Sequence, residues 1–124
     1  MSDPEPPEAA LPQPVARFIA AVNAADLDAM VASFAERAMV NDQLREYWDK
    51  PAIAAWARRE IIGQRLCIRL RNAVRNHDQT VVEAAIDGSF DRRGLPDPLI
   101  VTFYFSTRDD RVTQLVILRN EPND

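Results

Sequence analysis

The sequence predicts an α+β fold, with three N-terminal helices packed on a curved antiparallel sheet. Two observations carry that prediction. Apolar residues recur at helical spacing as far as Gly63 and at a spacing of two beyond it. Prolines and glycines fall at the joints between these stretches rather than inside them. With 124 residues and 47% hydrophobic content, the chain is long enough to bury one core.

Residues 1–13 read as a flexible tail, because "MSDPEPPEAALPQP" holds five of the nine prolines and the acids Asp3, Glu5 and Glu8. A single domain is expected over residues 14–120, followed by a short tail at 121–124. Pro14 opens a first helix, "PVARFIAAVNAA", whose Val15, Phe18, Ile19 and Val22 share a face. Asp26 reads as the N-cap of a second, "LDAMVASFAERA", with Leu27, Met30, Val31 and Phe34 on one side. "AMVND" is a short strand ending at Asp42, and "QLREYWDK" is a loop. Pro51 then begins a third helix that stops at Gly63.

Beyond Gly63, "RLCIRLRNAVR" and "VVEAAIDGSF" alternate as two strands, in a register that pairs Val74 with Val82 and Leu70 with Ile86. "LIVTFYFST" and "RVTQLVILRN" form a second hairpin that turns at Asp109-Asp110. Strict pairing from that turn sets Tyr104 against Leu115, Thr102 against Ile117 and Ile100 against Arg119. A shift of one residue would instead turn Val101 and Phe103 inward. Both faces of this hairpin are largely apolar, so a homodimer through the outer sheet face is expected.

Several function classes are excluded. The net charge is −4, and the acidic tail carries most of it, leaving the domain near neutral with no electrostatic case for nucleic acid or an anionic membrane. Arg65, Arg69, Arg71 and Arg75 form a stripe without interleaved aromatics, which reads as a solvated face balanced by Glu83 and Asp87. No apolar run approaches the roughly 20 residues of a membrane helix, and no signal-peptide pattern opens the chain. Cys67 is the sole cysteine, which fits a reducing cytoplasm. His77 is the sole histidine, so a metal centre built from several His and Cys ligands is excluded, and no cofactor is expected.

The order of elements resembles the nuclear transport factor 2-like superfamily over residues 14 to 120, and "FIAAVNAADLDAMVASFAERAMVND" and "GLPDPLIVTFYFSTRDDRVTQLVILRN" resemble its SnoaL-like branch, which includes ketosteroid isomerase and polyketide cyclases. The resemblance implies a cone-shaped fold with a hydrophobic pocket. The ligand would be a small apolar molecule with a polar group, handled without a cofactor by an isomerase, cyclase or hydrolase step. The alternative is a non-catalytic ligand-binding or dimeric interaction module. Asp42 stands where the isomerase has its base, and by residue type alone it is equally a turn residue. Tyr104 and Arg119 are the candidate charge stabilisers; Phe18, Trp48, Trp56, Thr102, Leu115 and Ile117 are the candidate ligand-binding residues. The isomerase also needs donors aimed at an enolate oxygen, and the positions that correspond here are Phe18 and Thr102, so the steroid reaction itself is not expected. Asp42 is the only acid placed inside, which leaves the paired-acid arrangement of the superfamily's epoxide hydrolases unassembled.

Overall fold

The first helix begins as the proline run ends. A computed structural model describes residues 11–91 and 93–119, so of the tail read at 1–13 only Leu11 to Gln13 are described, Gln13 already in the first helix, and the tail read at 121–124 lies outside the described residues. Helix α1 (Gln13–Asn23) follows Pro12, with Pro14 in its first turn, where a missing N–H costs nothing. Its Val15, Phe18, Ala21 and Val22 are buried, as the spacing predicts. Asp26 caps α2 (Leu27–Ala32), its carboxylate accepting the Ala29 N–H at 3.1 Å.

α2 is shorter than the helix expected to run through Ala38, because β1 (Phe34–Asp42) captures the chain. The Ser33 hydroxyl donates to the Met30 carbonyl at 2.6 Å, and the Ser33 carbonyl accepts the Val112 N–H at 2.8 Å. Phe34 then pairs with Val112 in the sheet, where both are fully buried. Tertiary pairing outweighs helical propensity over these residues.

The stretch read as a loop contains a strand, β2 (Arg45–Trp48), paired with β1. It lies at a sheet edge and is mostly exposed, so its sequence shows no alternation. Helix α3 (Asp49–Trp56) starts two residues before Pro51 and continues into a π-helical turn, Ala57–Ile62. It stops at Gly63, where a Cβ would lie 2.7 Å from the Arg59 carbonyl oxygen.

The other strands are β3 (Cys67–Asn76), β4 (Gln79–Asp87), β5 (Leu99–Arg108) and β6 (Arg111–Arg119). They form a six-stranded sheet in the order β2-β1-β6-β5-β4-β3, antiparallel except for the β1–β6 pair. That parallel pair brings β1, which lies between α2 and α3 in the chain, against β6.

Two irregularities overturn the expected registers. In the β3–β4 hairpin the turn closes at His77-Asp78, so Val74 faces Val81, and a further shift between Leu70 and Asn72 sets Leu70 against Ala84. Asp87 lies opposite Cys67 rather than Arg69. In β5–β6 the turn does close at Asp109-Asp110, both at positive φ, yet the pairing shifts between Ser106 and Thr107. Beyond that point Phe103 opposes Ile117, Phe105 opposes Leu115 and Tyr104 opposes Val116. An extra residue in one strand reverses the parity of everything past it. Val101, Phe103 and Phe105 therefore face the helices, while Thr102 and Tyr104 lie on the other face.

Candidate functional site

Asp42 is the last residue of β1 and pairs with Ile117 on β6, a residue of the inward face. The chain then reverses through Gln43 and Leu44, both at positive φ (54° and 74°) without being glycine. Such a turn is unfavourable for side-chain-bearing residues unless its surroundings hold it. Here the Asn41 Oδ1 accepts the Leu44 N–H at 2.9 Å. Gln43 is anchored three times over. Its N–H and its side-chain amide both donate to the Ile117 carbonyl, and its Oε1 accepts the Arg119 N–H at 3.3 Å. The side chain thus adds a rung to the β1–β6 ladder and fixes where Asp42 projects.

What it faces is a cavity of about 170 Å³. A single water needs roughly 10–15 Å³ on that kind of measure, so the space is open rather than packed shut. Phe18 of α1 forms one wall, and Ile68, Ile86, Val101, Phe103 and Ile117 of the sheet form another. The third comes from the π-helical turn and the residues after it, through Glu60, Ile61, Gln64 and Leu66. Helical turns of this kind are frequent at functional sites.

The Trp56 indole is fully buried behind Asp42 and donates to its Oδ2 at 2.9 Å. No ion pair reaches Asp42 from the described residues. Glu60 is engaged on both oxygens: Oε2 accepts from Arg59 Nε at 3.0 Å and Oε1 from Gln64 Nε2 at 3.3 Å. The Glu60 carboxylate, aided by the Tyr47 hydroxyl, holds the Arg59 guanidinium above its usual range, so that side chain stays charged. Arg59 also lies over the Tyr47 ring, 5.7 Å from its centroid.

Of the residues expected at the site, Asp42, Phe18 and Ile117 meet at the cavity. Trp56 supports Asp42 from the core instead of walling a ligand, and Leu115 is fully buried and does not line the cavity. Tyr104 and Thr102 are corrected to the outer face by the β5–β6 irregularity, with Tyr104 42% exposed. Trp48 stands on the edge strand, 59% exposed, and donates to Glu46. Arg119 does not line the cavity, and its N–H is given to Gln43. Asp42 is not the only acid inside, since Glu60 also lines the space. Its i, i+4 spacing from Trp56 was the available signal, and the π turn that brings both Glu60 and Ile61 to the wall has none in composition.

The chain matches the model of the SnoaL-like domain over residues 15–115. It belongs to the SnoaL-like family. A candidate polyketide cyclase from Sinorhizobium meliloti is similar to this SnoaL-like chain at 25% identity and a TM-score of 0.81, covering 90% of this chain and 98% of that one. A Catenulispora acidiphila protein with a ketosteroid isomerase-like fold, solved with trimethylamine, matches at 20% identity and a TM-score of 0.73, covering 86% and 85%. A Mycobacterium tuberculosis protein solved with estradiol-17beta-hemisuccinate matches at 14% identity and a TM-score of 0.72, covering 86% and 91%. The SnoaL-like chain therefore has the cone-shaped fold of the nuclear transport factor 2-like superfamily, in its ketosteroid-isomerase-like branch. No curated protein matches its sequence closely enough to add a function. Among the described residues no helix is long and apolar enough to cross a membrane.

Proposed function

We propose that this SnoaL-like protein binds a small, largely apolar molecule in the cavity, with the polar group of the ligand on Asp42. The observation that carries the reading is a carboxylate at the end of β1, held on one oxygen by a buried indole and facing open apolar space. Apolar walls with a few convergent polar groups are the usual form of a small-molecule site. Two neighbours of the same fold were solved with small organic molecules, which supports this use of the cone. In this reading Asp42 accepts a proton, and the reaction class is a cofactor-free isomerase, cyclase or hydrolase step with Asp42 as base.

One observation favours a second reading, binding without chemistry. An enolate-forming reaction needs donors aimed at the developing oxyanion. Phe18 offers none, Thr102 and Tyr104 lie on the outer face, and Arg119 is not in the lining.

The outer face supports self-association in either reading. Val74, Val81, Tyr104 and Val116 are cross-strand neighbours in one row over four strands, and the first three are among the exposed large hydrophobics. A homodimer through this face would cover that row. In sedimentation, Tyr104→Arg should convert a wild-type dimer to monomer; a monomeric wild type at micromolar concentration would remove this part of the proposal.

Ligand binding is tested by fluorescence in a Trp48→Phe background, which leaves Trp56 as the one indole in the chain. A ligand seated on Asp42 alters the environment of that indole. Apolar small molecules should shift its emission saturably, and Val101→Phe, which fills the cavity, should abolish the shift. Shifts that survive Val101→Phe would place binding elsewhere and defeat the reading.

A further inference from the structure

The hydrogen-bonding groups around the cavity are unevenly spent. Each donor group already has a partner: the Trp56 indole on Asp42, the Gln43 amide on the Ile117 carbonyl, the Gln64 amide on Glu60, and Arg59 on Glu60, which leaves one N–H on each amide. The unspent group that carries charge is an oxygen. Asp42 Oδ1 has no partner among the described residues, and a carboxylate oxygen has lone pairs beyond one hydrogen bond. The charges are uneven in the same sense. Asp42 and Glu60 line the cavity, and among the described residues no lysine, arginine or histidine does. Glu60 has its counter-ion in Arg59, whereas among the described residues Asp42 has a neutral indole alone. An anionic ligand would meet repulsion here, and a carbonyl would find few free donors. A cation carrying its own N–H would satisfy the spare oxygen and balance the charge.

Resting on the cavity reading above, we propose that the ligand is a protonated amine on a compact apolar body, its ammonium hydrogen-bonded to Asp42 Oδ1. The apolar body would lie against Phe18, Val101, Phe103 and Ile117, which offer only hydrocarbon surface. The site is then selective by charge at one end and by shape at the other.

The test uses three probes of one shape in the Trp48→Phe protein: cyclohexylmethylammonium, cyclohexylmethanol and cyclohexanecarboxylate. Affinities come from titration of Trp56 emission, checked by calorimetry. The ammonium should bind at least roughly 10-fold tighter than the alcohol, as expected for a charge-assisted bond replacing a neutral one, and the carboxylate should not bind. In Asp42→Asn, which keeps the shape and an acceptor but loses the charge, the ammonium should lose roughly 10- to 100-fold while the alcohol changes little. Ammonium binding should also weaken with rising salt. If alcohol and ammonium bind alike, or the carboxylate binds best, the amine proposal fails while the cavity reading stands. If none of the three binds at millimolar concentration, both fail. The wild-type ranking decides the matter even if Asp42→Asn does not fold.

Discussion

The concave face of the sheet has a sealed half and an open half, built by the same strands. In the sealed half Val82, Phe105, Val112 and Leu115 are at most 1% exposed, and Phe34 and Met30 close over them. In the open half Ile86, Leu99, Val101, Phe103 and Ile117 retain 5–8%. Aromatic packing makes the difference. Phe18 meets Phe34 and Phe105 edge-on at 5.6 and 5.7 Å between centroids, filling the space between α1 and the sheet. Toward Asp42 the walls become mainly aliphatic and stop meeting. A cavity of this kind does not require a missing element; it requires only that interlocking rings fill one end while mostly aliphatic side chains line the other.

The sharpest way to break this comparison uses two residues of one type on one strand and one face. Phe105→Ala should cost about 3–5 kcal/mol, because it removes buried area and leaves a void closed on all sides. Phe103→Ala should cost less, about 2–3 kcal/mol, since the vacated volume merges with the existing cavity and the void penalty falls away. Urea denaturation of both measures the difference, and equal losses would mean that the two halves are equally packed. Next in size is Trp56→Phe, which removes the donor to Asp42 and should cost about 1–3 kcal/mol, the usual range for a bond to a charged group. A smaller effect of opposite sign is expected at Thr80, a fully buried residue whose hydroxyl has no partner. Thr80→Val should stabilise the protein by about 1 kcal/mol by relieving that desolvated hydroxyl, and a lower melting temperature would contradict the assignment.

The smallest effect lies away from both halves. Hydrogen bonds from Arg93 hold the Asp91 carboxyl below its usual range. A depressed carboxylate lends stability above its unfolded pKa and loses it as pH falls through its folded value. Both partners are fully exposed, so screening leaves little to measure. Asp91→Asn should therefore leave thermal melting unchanged from about pH 3 to pH 7.

What the sequence revealed depended on whether its period was unbroken. Helix α1 and the cap at Asp26 follow from spacing and residue type, and both stand where they were read. Asp42 was placed by a resemblance and does reach the cavity with Phe18 and Ile117. The inward face of β5 was misjudged because one irregular pair near Thr107 reverses parity, and no residue type there announces it. Val74 was misjudged in β3 because the turn at His77-Asp78 is tighter than its expected pairing with Val82 allows. Glu60 was missed for another reason, since its place depends on a helical turn wound more loosely than the rest. Strand β2 lacks alternation because an exposed edge has no face to bury.

The parallel pairing of β1 with β6 also governs when the site comes into being. Asp42 and Gln43 are positioned by Ile117 and Arg119, which follow them by about 75 positions in the chain. Closing so long a loop carries an entropic cost that must be met before any contact rewards it. During synthesis, α1, α2 and the β3–β4 hairpin have all their local partners well before β6 leaves the ribosome. Asp42 does not. Ligand competence should therefore arrive with the final strand, in one step, and a chain interrupted before Ile117 should have much of the scaffold and none of the site.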